Sequence, residues 1–259
     1  MIPKDILHRD KGLSEWNIVS AYRGSISHGM YMPNKNDNSI DDKDIMSICI
    51  PPIDYYFGLK HYHNRGTIEI KQNEWDIVIY EFKKAIQLLK KGNPNILSIL
   101  WLNEEDYIHQ TESFITLIDN KSLFIGKHIY HSFIGYAKGQ LYKMTHFKKY
   151  DGYMGNKRKR LVDKYGYDTK NASHLIRLLR MGIEFLNEGK LYIKRYDACE
   201  LLEIKKGEWE LKKVEEEAQR LFKIAELSYV HSKLPDNCDE NGINKICIKI
   251  LKDRFIKGE

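Results

Sequence analysis

No stretch of these 259 residues is apolar for the ~20 positions that a membrane-crossing helix requires. The amino terminus, MIPKDILHRDKG, carries charges where a signal peptide has its apolar core. Both lacks lead us to expect a soluble, cytoplasmic protein with no membrane partner. Cysteine is scarce as well: Cys49, Cys199, Cys238 and Cys247 are scattered, and no pair has the C-x-x-C spacing of a zinc or redox site. Reduced thiols are the expectation. There is no internal repeat, which excludes a solenoid or propeller. The acidic run NDNSIDDKD lacks the central glycine and the spaced terminal glutamate of a calcium-binding EF-hand loop.

What is present points to a folded protein that meets anions. Hydrophobic residues make up 42% and aromatics 12%, the latter mostly tyrosine, enough for a compact chain with two lobes. A net charge of +6 and a pI near 8.9 bias the surface toward nucleotides or RNA, short of the excess typical of obligate nucleic-acid binders. The richness in Lys, Ile, Asn and Tyr follows equally from an AT-rich genome.

Along the chain, WNIVSAY (16–22) delivers a strand or helix end into the turn Arg23-Gly24-Ser25. PNKNDNS, from Pro33 to Ser39, reads as a polar loop, and DDKDIMSICI, from Asp41 to Ile50, as a strand with an acidic mouth stopped by Pro51-Pro52. YYFGLKHYHNRG (55–66) reads as a loop or short helical insertion, while TIEIK and WDIVIY alternate as strands do. EFKKAIQLLKK places Phe82, Ala85, Ile86 and Leu89 at helical spacing before the Gly92-Asn93-Pro94 turn. From about residue 95 the periodicity is helical. The expected architecture is α+β: a catalytic lobe with a mixed sheet over 1–92 and a helical lobe over 93–259.

The chemistry gathers in the first lobe. Asp42 and Asp44 are two apart, so on a strand both carboxylates leave one face and grip hard cations together. Asp76, on WDIVIY with Val78 and Tyr80 on the same face, brings a third carboxylate from a neighbouring strand. Three convergent carboxylates suit Mg²⁺ or Mn²⁺ ions that bind a triphosphate and activate an attacking hydroxyl. The Gly24-Ser25 turn supplies backbone N–H groups and a hydroxyl for phosphate oxygens.

The run GSISHGMYMPNKNDNSIDDKDIMSICI resembles the glycine-serine, variable loop, D-x-D signature of the DNA polymerase β-like nucleotidyltransferase superfamily. WDIVIYEFKKAIQLLKKGNPNILSILW, SFIGYAKGQL, YDTKNASHLIRLLRMGIEFLNEGKL and SKLPD resemble, in order, the rest of one subgroup of predicted nucleotidyltransferases that includes an RNA-repair-associated branch. The resemblance implies a polymerase β-like fold and transfer of a nucleoside monophosphate from an NTP to an acceptor hydroxyl, with release of pyrophosphate. It implies that Gly24 and Ser25 touch the triphosphate, that Asp42, Asp44 and Asp76 hold the metal, and that Lys84, His174 and Arg177 are nucleotide-binding positions. The long, Asn-rich loop before Asp42 departs from the pattern. Asp41 is the register alternative to Asp42, and the same-face geometry with Asp44 selects Asp42.

Other features carry two readings. Lys170, His174 and Arg177 form a basic stripe opposite Leu175, Leu178 and Leu179, either a solvated face or a phosphate-facing one. Lys157-Arg158-Lys159-Arg160, amid Tyr150, Tyr153, Tyr165 and Tyr167, suits a solvated loop or single-stranded RNA. His61 and His63 lack a third metal partner and read as surface or packing residues. The expected acceptor is an RNA or tRNA end. The alternatives are a small molecule or protein acceptor, and a non-catalytic nucleotide-sensing module.

Overall fold

The computed structural model describes residues 2–33, 41–146 and 156–257. Most of the polar loop from Pro33 to Ser39, and both Tyr150 and Tyr153, lie outside the described residues. Two compact units divide the chain: one joins 1–125 to 238–259, the other covers 126–237. Contacts thus divide the chain elsewhere than at residue 92.

The first unit contains strands β1 (Asn17–Tyr22), β2 (Lys43–Cys49), β3 (Thr67–Gln72), β4 (Trp75–Glu81) and β5 (Tyr107–Gln110). Its helices are α1 (Lys4–Leu7), α2 (Asp54–Phe57), α3 (Phe82–Lys90), α4 (Pro94–Leu97), α5 (Glu112–Asp119) and, at the carboxyl end, α11 (Glu240–Lys257). The five strands form one mixed sheet in the order β3-β4-β2-β1-β5, with β2 and β4 parallel and the other neighbours antiparallel. The fold class is α+β.

The two faces of the sheet follow from the period-2 pleat. Ile45, Cys49, Ile77 and Ile79 point to one face, where they pack in one core with Ile70, Trp75, Tyr62 and, from the amino-terminal segment, Ile2, Ile6 and Leu13. Met46, Ile48 and Val78 are buried on the other face, and Asp44 and Asp76 share that face at the start of their strands. Each fully buried aliphatic side chain contributes about 1.5–3 kcal/mol. Reversing the pleat of β2 by one residue would expose this set, so its register is strongly specified.

Helix α3 starts where Glu81 accepts hydrogen bonds from the N–H groups of Lys83 (2.8 Å) and Lys84 (3.0 Å), and it buries Phe82, Ala85, Ile86 and Leu89. The edge strand β5 lies beyond residue 92, in sequence that reads as helical. Its four residues, YIHQ, pair with β1 without an apolar alternation to announce them.

The second unit is helical: α6 (Ile129–Thr145), α7 (Asn156–Tyr165), α8 (Thr169–Glu188), α9 (Ala198–Lys206) and α10 (Leu211–His231). Helix α8 is central, packing on α6, α9 and α10. Asp168 caps it by accepting from the Asn171 N–H at 3.0 Å, and Gly189 ends it at φ +66°, a conformation that costs glycine little. The basic run from Lys157 to Arg160 belongs to α7 rather than to a loop. All four cysteines are free, and no helix among the described residues is long and apolar enough to cross a membrane.

Candidate active site

The parallel pairing of β2 with β4 sets Asp44 directly opposite Asp76. Neighbouring strands lie about 4.8 Å apart and residues in register share a face, so the backbone alone places these carboxylates side by side. Both are half-buried. Arg23 N–H donates to the Asp44 carbonyl at 2.9 Å, which ties the turn after β1 to the mouth of β2. Gly24 follows at φ +65°, and a Cβ built there would collide with Asp44 Oδ2. Glycine is required twice over, by the backbone and by the carboxylate against it.

The turn closes on itself: Gly24 O accepts from the His28 N–H at 3.1 Å and from Ser27 Oγ at 3.2 Å, and Ser25 O accepts from the Met30 N–H at 2.8 Å. Ser25 Oγ, by contrast, is buried and makes no hydrogen bond among the described residues. A buried hydroxyl without a partner is costly, and an ordered water, an ion or a ligand oxygen would satisfy it. Asp76 faces two cations, with Arg23 Nη2 at 3.8 Å and Lys71 Nζ at 3.4 Å. Neither residue stood out in the sequence. The available signals were the adjacency of Arg23 to Gly24-Ser25, and the alternation of TIEIK, which puts Lys71 across from Asp76.

Asp42 is half-buried and precedes β2 by one residue, so the pleat fixes Asp44 against Asp76 but does not fix Asp42. Its neighbour Asp41 is 2% exposed and accepts from the Met32 N–H at 3.0 Å. Lys43 leaves the opposite face, where it bonds Glu74 and stacks over the Trp75 ring at 4.9 Å; the Glu74 bond raises its pKa. Among the described residues no group of three or more His, Cys, Asp or Glu is arranged to hold a metal ion. The donor pair Asp44 and Asp76, the glycine cradle against Asp44 and the unsatisfied Ser25 hydroxyl nonetheless fit a metal-bound triphosphate in their chemistry.

Lys84 is not brought to this cluster. It sits at the start of α3 beside Gly66, where a Cβ built on the glycine would be 3.0 Å from the Lys84 Cβ. Gly66 adjoins Thr67, which pairs with Tyr80, so Lys84 lies beyond the far end of the strands, about 13–17 Å from Asp76 along β4. His174 and Arg177 belong to the helical unit. Arg177 is 9% exposed, while Lys170 and His174, which share its stripe, are half-buried. Among the described residues its side chain donates to Met181 Sδ at 3.1 Å. Burial, aided by the charge of Arg195 and opposed by Asp197, holds its pKa down at about 9. Arg180 and Arg195 on the same unit are different, each bound by carboxylates: Arg180 by Asp197, Glu200 and Glu217, Arg195 by Glu184 and Asp197.

No curated protein matches the chain. A family model described as RlaP, RNA repair pathway DNA polymerase beta family, matches residues 18–246, which takes in the sheet, the turn at Gly24, all three aspartates and the helical unit. The chain therefore belongs to the RNA repair pathway DNA polymerase beta family.

Proposed function

We propose that the protein is a cytoplasmic nucleotidyltransferase that moves a nucleoside monophosphate from an NTP to a hydroxyl at an RNA or tRNA end. The single observation that carries this reading is the pairing of Asp44 with Asp76 in register, with the Gly24-Ser25 turn pressed against Asp44. Family membership supports it. We take residues 1–92 as the segment that supplies the chemistry.

In this reading the backbone N–H groups of the turn and Ser25 Oγ hold phosphate oxygens, the buried hydroxyl gaining the partner it lacks. Asp42, Asp44 and Asp76 are the carboxylates for Mg²⁺ or Mn²⁺, which when bound supplies charge neutralisation on the triphosphate and polarises the acceptor oxygen. The acceptor hydroxyl oxygen attacks the α-phosphorus, the bond from that phosphorus to the bridging oxygen breaks, and pyrophosphate leaves with the electron pair. Asp76 receives the hydroxyl proton, and Arg23 and Lys71 hold its carboxylate in place. Arg177 of the helical unit is an anion ligand, because its buried cation has no carboxylate bonded to it among the described residues. His174, one helical turn before Arg177, is assigned the same role on the family resemblance. Lys84 is left out of the nucleotide pocket on its position.

The test is incubation with each α-labelled NTP and separate RNA, protein and metabolite fractions. Label retained on RNA is the expected result. Label on protein or metabolites alone would move the acceptor to another class, and no label in any fraction would contradict the transferase reading.

A further inference from the structure

The end of the sheet remote from Asp44 carries a second constellation. There the Ile50 N–H donates to Trp16 O at 2.8 Å, and Tyr62 packs in one core with Cys49 and Ile79. Asp44 lies five residues back along β2, about 17 Å at 3.3 Å per residue. Above Tyr62 opens a cleft of about 480 Å³, within the range of ligand sites. Its walls are Trp16 and Tyr55, half-buried rings 5.5 Å apart at 59°, and the side chains of His8, Arg9, Lys11 and His61, all exposed.

The charge in this cleft is directed. The carboxylate in its wall, Asp10, is 10% exposed and turned into the protein: Oδ1 accepts from Tyr62 Oη (2.7 Å) and the Gly12 N–H (2.6 Å), and Oδ2 bonds His63 Nε2 (2.7 Å). Lys11 is bound by Glu15 at 3.0 Å, but the side chains of Arg9, His8 and His61 make no hydrogen bond or ion pair among the described residues. His63 is held at φ 41°, ψ −167°, where a non-glycine residue is strained, by the Asp10 bond and by its ring edge against Tyr62 at 4.6 Å. In the segment between Tyr55 and His61, Phe57 is 84% exposed and Leu59 is 96% exposed.

We propose that this cleft docks single-stranded RNA, a base lying against Trp16 and Tyr55 and the flanking phosphates on Arg9, Lys11, His8 and His61. The Arg9 guanidinium, which has no bonded carboxylate among the described residues, together with Lys11 and two imidazoles around accessible rings, complements a strand whose bases and phosphates are both available, and a duplex hides its bases. The site deepens the RNA reading given above, and rests on it, by naming where the acceptor strand is held away from the carboxylates.

The test uses the full chain with chelator and without NTP, so that no chemistry is required. Fluorescence anisotropy follows a labelled ten-nucleotide oligouridylate and a ten-base-pair RNA duplex across a salt series. The expected result is preference for the single strand, with Arg9→Ala/His61→Ala weakening it about tenfold and flattening its logarithmic salt slope by about 0.7 for each phosphate no longer neutralised. Both substituted side chains are exposed, so the variant folds; its thermal midpoint is measured alongside. Equal affinity in the double variant, or equal binding of duplex and single strand, overturns the cleft while leaving the RNA acceptor in place. A wild-type protein that binds no RNA, yet transfers a nucleotide to another acceptor, overturns both and leaves the transferase standing.

Discussion

At the residue scale, the candidate site holds one buried hydroxyl, Ser25 Oγ, that bonds nothing among the described residues, and substitutions in the turn that carries it should separate binding from stability. Ser25→Ala removes a buried hydroxyl that bonds nothing among the described residues, so thermal stability should hold or rise slightly. NTP affinity by calorimetry should nonetheless fall, by about 0.5–1.5 kcal/mol, the worth of one hydrogen bond. Loss of stability with unchanged affinity would mark Ser25 as structural. Gly24→Ala should lose both, because a side chain at φ +65° costs about 1–2 kcal/mol and meets Asp44 Oδ2. Arg177→Met, an unbranched apolar replacement, should raise the melting temperature of the protein without nucleotide, since a buried cation at a pKa near 9 is held at a cost. Such replacements stabilise by up to about 1–4 kcal/mol. The same variant should bind NTP less well; equal affinity would remove Arg177 from the nucleotide ligands.

At the scale of elements, the basic run on α7 makes a distinct prediction. Removing Lys157, Arg158, Lys159 and Arg160 together should weaken RNA binding and lower its salt dependence, while transfer to an acceptor that needs no RNA docking stays intact. An RNA affinity unchanged in the quadruple variant would take α7 out of the interface. Strands β2 to β4 and helix α3 were legible in the sequence because alternation and turn residues agree with the fold at each of them, while WNIVSAY, open between a strand and a helix end, is strand β1. Strand β5 was not, being four residues long with a polar end. The stripe on α8 stayed open between two readings because helical spacing identifies a face but cannot say whether that face meets water or packed helices, and α8 packs on α6, α9 and α10. The turn at Gly24 and its closeness to Asp44 follow from local sequence, a glycine turn and an acid at the mouth of a strand, whereas the pairing of Asp44 with Asp76 depends on strand register. The Asp10–His63 bond joins residues 53 apart, and no local pattern could have paired them.

At the scale of the whole molecule, the net charge of +6 is uneven, the second unit carrying +8 and the first −2, yet each has a basic group that no bonded carboxylate neutralises among the described residues: Arg9 in the first unit, Arg177 in the second. A chain that belongs to a polymerase β family and presents Asp44 beside Asp76 should spend that charge on nucleotide and RNA. The decisive comparison is transfer from α-labelled and γ-labelled NTP, with Mg²⁺, by the wild-type protein and by Asp44→Asn and Asp76→Asn. The wild type should place the α label on the acceptor and release the γ label as pyrophosphate. Both variants should stay folded and lose turnover by about a hundredfold or more, the scale of removing one group that stabilises developing charge. Turnover near normal in both variants, or γ label on the acceptor in the wild type, would contradict the assignment.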